Sequence, residues 1–143
     1  MKIYLDNCCF NRPFDDQSQL RIRLEAEATL KVQEDIRAGI HELVWSYILD
    51  YENSKNPFQE RSRQISKWRN YAKDDIEENA GLIEIANRIL TTGAKKIDAM
   101  HIACAIVANS DYFLTTDDGI IKKATLIQDV IISDPIGFIK ELT

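Results

Sequence analysis

Cysteine is scarce in this chain, with Cys8, Cys9 and Cys104 the only three, two of them adjacent and none in CxxC spacing. That argues against a disulfide framework and a zinc site, and leaves small buried hydrophobes as the expected role. Cys8 and Cys9 keep some interest because they follow Asp6 directly. Glycine is also sparse. The five, at 39, 81, 93, 119 and 137, form neither GxxxxGK nor GxGxxG, so no nucleotide-binding loop is visible. No apolar run reaches the roughly 18 residues of a membrane span. The opening MKIYLDNCC is broken by Asp6 and Asn7, unlike a signal peptide, and the expectation is a cytoplasmic protein. Positive charge is in deficit, 18 Lys and Arg against 23 Asp and Glu, for a net −5. That counts against a generic nucleic-acid binder. It does not exclude one whose acids are gathered at a metal site and neutralised there.

What is present fits one domain over residues 1–143, long enough to bury a core. Lys2 to Asp6 reads as a central strand, because Ile3, Tyr4 and Leu5 are continuously apolar. A polar loop, Asn7 to Gln17, follows. Ser18 to Ala38 is expected to be a long helix despite apolar residues at almost every even position, Leu20 to Ile36. The run is too long for a strand and rich in helix formers. Alternation on a helix spreads apolar groups round the axis, so one side is expected to face the sheet and another a second subunit, giving a homodimer. Gly39 caps this helix, Ile40 to Trp45 is a strand, and Ser46 caps a helix running to Glu52. Phe58 to Tyr71 is read as a helix anchored by Ile65 and Trp68, and Lys73 to Glu78 as an acidic surface stretch. Gly81 to Leu90 is an amphipathic helix.

Lys95 to Asp118 organises the rest: a helix apolar round most of its circumference, a turn, and the short strand Tyr112 to Leu114. A short helix, Gly119 to Ala124, a strand, Val130 to Ile132, and a helix beginning at Asp134-Pro135 complete the chain. Strands separated by helices predict an α/β fold with a largely parallel sheet. In such sheets ligands bind beyond the carboxyl ends of the strands. Asp6, and Asp117 with Asp118, stand at such ends, while Asp98 enters the apolar helix and Glu52 lies beyond the second strand. Converging carboxylates repel one another, and a hard divalent cation, Mg²⁺ or Mn²⁺, relieves this with all-oxygen ligation.

Four segments, in order, resemble the PIN domain family of metal-dependent ribonucleases, which includes toxins of bacterial toxin–antitoxin pairs. They are Ile3-Tyr4-Leu5-Asp6, Ser46 with Glu52 six positions on, Asp98-Ala99-Met100-His101-Ile102-Ala103, and Phe113-Leu114-Thr115-Thr116-Asp117. The resemblance covers nearly the whole chain. It implies a three-layer α/β/α fold with a parallel sheet of four or five strands. It also implies an acidic pocket of Asp6, Glu52, Asp98 and Asp117 that holds Mg²⁺ or Mn²⁺, with Thr115 helping to orient it. The implied activity is endonucleolytic cleavage of single-stranded RNA, with an antitoxin protein as a partner. Asp118 could stand in for Asp117, and Asp50 lies near Glu52. His101 is read as a packed, hydrogen-bonded side chain. Arg12, Lys95, Lys96, Lys122 and Lys123 are candidates for phosphate contact, with the Arg61 to Arg69 helix as a second set. A PIN-like binding module without nuclease activity is the alternative. A phosphoacceptor receiver domain fits poorly, because one Asn rather than a second acid follows Asp6 and no Lys follows Ile132.

Overall fold

A computed structural model describes all 143 residues. Its centre is a five-stranded, entirely parallel sheet. The strands are β1 (Lys2–Leu5), β2 (Glu42–Ser46), β3 (Ala72–Ile76), β4 (Tyr112–Leu114) and β5 (Ile131–Ser133), in the order β3-β2-β1-β4-β5. Ile3, Tyr4 and Leu5 are all fully buried, as a strand covered on both faces must be. The chain builds outward from β1 through β2 to β3, then returns to the other side of β1 with β4 and β5. The reversal falls between β1 and β4. That is where an open parallel sheet forms its ligand crevice.

Eight helices surround the sheet: α1 (Asn7–Asn11), α2 (Leu20–Arg37), α3 (Tyr47–Ser54), α4 (Gln59–Ser66), α5 (Ala80–Leu90), α6 (Lys96–Val107), α7 (Asp118–Ile121) and α8 (Pro135–Leu142). α5 packs against α6 and α2 against α8, which makes the outer layers of the three-layer α/β/α arrangement. Several starts are capped as their residues predict. Ser46 Oγ accepts the Leu49 N–H at the head of α3, and Asp134 accepts the Gly137 N–H where Pro135 opens α8. Gly39, at φ +77°, ends α2 in a backbone region that L residues avoid.

The structure departs from sequence expectation in three places. Ala72–Ile76 is an edge strand rather than an acidic surface stretch. Its acids are matched by cations: Lys2 Nζ lies 2.9 Å from Asp74, and Arg69 Nε donates to Asp75 at 2.8 Å. A charged, half-exposed edge also resists pairing with other chains. The segment after Asp6 is not a loop but α1 followed by a 3-10 turn, Arg12–Phe14, which seats Phe10 against Trp45. The helix expected over Phe58 to Tyr71 stops at Ser66 and continues as a 3-10 turn, Lys67–Tyr71, that buries Trp68. In α2 the buried stripe is Glu25, Ala26, Thr29, Val32, Gln33 and Ile36, whereas Leu20, Leu24 and Leu30 are exposed. Helical spacing set that face, and the buried Glu25 is tolerated because Arg12 and Arg21 reach it at 3.1 and 3.2 Å.

Candidate functional site

The register pairs Leu5 with Leu114, so the residues that follow, Asp6 and Thr115, emerge side by side. Asp6 is almost wholly buried. Its Oδ1 accepts the Asn7 N–H at 2.8 Å, and its Oδ2 accepts the Thr115 hydroxyl at 2.7 Å and, more weakly, the Cys8 thiol at 3.4 Å. Thr115 Oγ1 in turn accepts the Asp117 N–H at 3.1 Å. The threonine therefore ties the ends of two strands together. Cys8 sits at the margin of this cluster. Cys9 and Cys104 are buried, and burial pushes the Cys104 thiol up to about 12, in keeping with an inert packing role.

Glu52 arrives from the last turns of α3 and meets His101 of α6. A carboxylate can only accept, so Nε2 of His101 carries the proton donated to Glu52 Oε1. In the neutral imidazole Nδ1 then accepts the Tyr4 hydroxyl at 2.6 Å. Tyr4 Oη accepts from Ser46 Oγ, also at 2.6 Å, and Ser46 Oγ accepts the Leu49 N–H. Burial raises the Tyr4 phenol well above its ordinary range and keeps it a neutral donor. A buried line of hydrogen bonds thus runs from the head of α3 to the Glu52 carboxylate. Donor atoms of Asp6, Glu52 and His101 all lie within 4.8 Å of one another.

Asp98 and Asp117 line the adjoining cleft together with Lys95 and Lys123. Asp98, in the first turn of α6, is half-buried, and its carboxyl is raised from 3.8 to about 6. Burial is the main cause, and the charges of Asp6, Asp117 and Glu52 add to it against an opposing effect of His101. Asp117 is more exposed and caps α7 by accepting the Gly119 N–H at 2.8 Å. None of these four carboxylates is paired with a lysine or arginine.

The two open alternatives lie elsewhere. Asp118 faces Arg21, with its oxygens 2.6 and 3.0 Å from the guanidinium, and Asp50 accepts the Trp45 indole N–H at 2.9 Å. Arg12, a candidate phosphate contact, is committed to Asp15, Glu25 and Thr116 instead. Lys96 turns toward the α5 side, in a groove with Glu78 and Met100. Lys95 and Lys123 of that set remain at the cleft. His101 is packed and hydrogen-bonded at both ring nitrogens, as its sequence setting suggests, yet it also touches the acidic cluster. Tyr4 was not singled out from sequence. Its signal is the strand period of two, which puts it on the same side of β1 as Asp6.

The donor set suits a hard divalent cation. Asp6 and Glu52 meet at His101, Asp98 with its raised pKa and Asp117 line the adjoining cleft, and none of the four is paired with a lysine or arginine. His101 offers its only proton-bearing nitrogen to Glu52, which leaves the oxygens as the free ligands.

No family model matches the chain, and no curated protein matches its sequence. Similar folds occur among solved structures. VapBC-1 from nontypeable Haemophilus influenzae aligns with TM-score 0.61 and 17% identity, over 94% of this chain and 98% of that one. VapBC2 from Rickettsia felis, solved bound to a DNA fragment from its promoter, aligns with TM-score 0.57 and 15% identity over the same shares. Identity at this level speaks for the fold alone: the chain has a five-stranded parallel α/β fold of the PIN-like kind.

Proposed function

We propose that this chain is a Mg²⁺- or Mn²⁺-dependent endoribonuclease that hydrolyses phosphodiester bonds of single-stranded RNA, as the toxin of a toxin–antitoxin pair. The observation that carries this reading is the meeting of Asp6 and Glu52 at His101, with Asp98 and Asp117 lining the adjoining cleft, all unpaired with any lysine or arginine, at the reversal point of the sheet. These four would hold the metal. A bound ion would supply Lewis-acid chemistry there, polarising a phosphoryl oxygen and making a water more acidic. The chain's own residues supply the rest. Thr115 fixes the rotamer of Asp6, and His101, braced by Tyr4 and Ser46, fixes that of Glu52. Lys95 and Lys123, beside Asp98 and Asp117, are the cations available to a substrate phosphate.

The likeness to VapBC structures supports the toxin half of the reading. A protein antitoxin and a second copy of the chain are the partners it implies, in the cytoplasm. For the homodimer the candidate surface is the exposed side of α2, where Leu20, Leu24 and Leu30 stand among Arg23, Glu27 and Lys31. Sedimentation as a monomer at micromolar concentration would remove that contact.

The decisive experiment incubates end-labelled single-stranded RNA with the protein in Mn²⁺, Mg²⁺ or EDTA, beside Asp98→Asn. Cleavage that needs metal and vanishes in the variant is the expected result. Full activity in Asp98→Asn would sink the assignment. No cleavage, together with no Mn²⁺ binding by calorimetry, would leave a PIN-like binding module.

A further inference from the structure

Beyond the acidic cluster, a groove leads away past Glu52 between α1 and the segment joining α3 to α4, lined by Asn7, Asn11, Lys55, Asn56, Phe58 and Arg61. Phe58 is 57% exposed, although a phenylalanine beside a well-formed core normally turns inward. Its ring is not loose. Asn56 Oδ1 accepts the Phe58 N–H at 3.0 Å, and the Asn56 amide donates to Asn11 at 3.0 Å, so the backbone carrying the ring is tied to α1.

Arg61 lies over the same ring, 4.5 Å from its centroid, and 5.7 Å from that of Phe14, itself 45% exposed. The guanidinium is fixed by Asp15 and by the Phe14 carbonyl, both at 3.0 Å. It therefore acts as a spacer that holds two aromatic rings at the surface. A few residues back, Lys55 reaches over the exposed Tyr51 ring at 5.4 Å and makes no ion pair. Exposed, braced aromatic rings interleaved with cations are how proteins bind single strands without reading sequence. The location is telling in a chain of net charge −5, because Glu52 is the only acid lining this groove against Lys55 and Arg61.

We infer that this groove is a binding track for single-stranded RNA, in which a base next to the cleaved linkage stacks on Phe58 while Lys55 meets the adjacent phosphate. This rests on the ribonuclease reading and extends it, since it defines which strand form enters and from which side. A duplex keeps its bases stacked on one another and has none free for Phe58, so the track selects unpaired RNA.

The test uses fluorescence anisotropy of a short fluorescein-labelled oligouridylate with Asp98→Asn protein in Mg²⁺, so that binding is read without cleavage. Adding Phe58→Ala should weaken binding about tenfold, the scale of one lost aromatic–base stack. Phe58→Trp should restore it, and replacing the stacked uridine with an abasic nucleotide should cost the Asp98→Asn protein about as much as Phe58→Ala does. The abasic change should then have no further effect in the Phe58→Ala protein. Unaltered oligouridylate affinity in Phe58→Ala would overturn the inference, and metal-dependent cleavage by the wild-type chain would still leave the ribonuclease reading standing. Failure of the wild-type chain to cleave and of Asp98→Asn to bind RNA would overturn both. Phe58 is exposed, so the thermal melting of the variants should match that of their parent.

Discussion

Two clusters of acids lie close together in this fold and have opposite electrostatic character. In one, Glu25 is buried beneath Arg12 and Arg21, Arg21 continues to Asp118, and Arg12 and Arg61 share Asp15. In the other, Asp6 and Glu52 meet at His101 beside the cleft of Asp98 and Asp117, with no arginine or lysine paired to any of them. The contrast appears in the carboxyls themselves: Arg21 pulls Asp118 below its ordinary range, whereas burial and neighbouring acids lift Asp98 to about 6. Paired acids fasten the 3-10 turn to α2 and α4, and α2 to α7. The unpaired acids meet no lysine or arginine: Asp6 holds Thr115, Glu52 meets His101, and Asp117 caps α7. Charge alone would not separate the two clusters, but the counter-charges do.

The contrast breaks most clearly at Asp98. Asp98→Asn should reduce metal-dependent RNA cleavage at least about a hundredfold, since even residues behind a metal ligand cost roughly 10–100-fold. Its circular dichroism should be unchanged, and loss of fold would undo the distinction between the clusters. Arg12→Ala should act in the reverse way. Removing one partner of the buried Glu25 is expected to lower stability by about 3 kcal/mol in urea denaturation. A variant as stable as the wild type would show that Arg21 alone satisfies that carboxylate.

A smaller effect follows from the raised Asp98 carboxyl. Between 3.8 and about 6 the native chain holds more protons than the unfolded one, so stability without metal should fall as pH rises through that window. Since the group is half-exposed, a discounted value of about 1 kcal/mol is expected between pH 4 and pH 7. Melting curves should lose part of this slope in Asp98→Asn, and an identical slope would detach it from this residue. The smallest change belongs to Asp118→Asn. Its exposed pair with Arg21 is screened by solvent, so melting temperature and cleavage rate should both stay at wild-type values. A cleavage defect would move Asp118 into the reacting cluster and erase the boundary between the two.

Much of this was legible in the chain. The unbroken apolar run Ile3-Tyr4-Leu5 marked a central strand, the apolar helix around Met100 and Cys104 marked a buried one, and Ser46 and Pro135 marked helix starts. β3 was not legible, because Ala72–Ile76 carries two aspartates and owes its form to the open edge of β2 and to Lys2 and Arg69. The face of α2 was only partly legible. Its alternating apolar residues did not say which side meets the sheet, and arginines from α2 and the preceding 3-10 turn made it possible to bury Glu25 there.

By itself, then, the sequence determined the alternation of strands and helices and the four acids that follow or enter apolar segments. Both depend on local periodicity and on neighbours a few residues away. Tertiary structure alone decided that Asp6 and Thr115 share a hydrogen bond across 109 positions of chain, and that Tyr4 and His101 brace Glu52. It also decided that Arg12 belongs to Glu25 rather than to the cleft. Partners of that kind are chosen by the register of β1 against β4 and by helix packing over the sheet, which bring together residues that no local pattern connects.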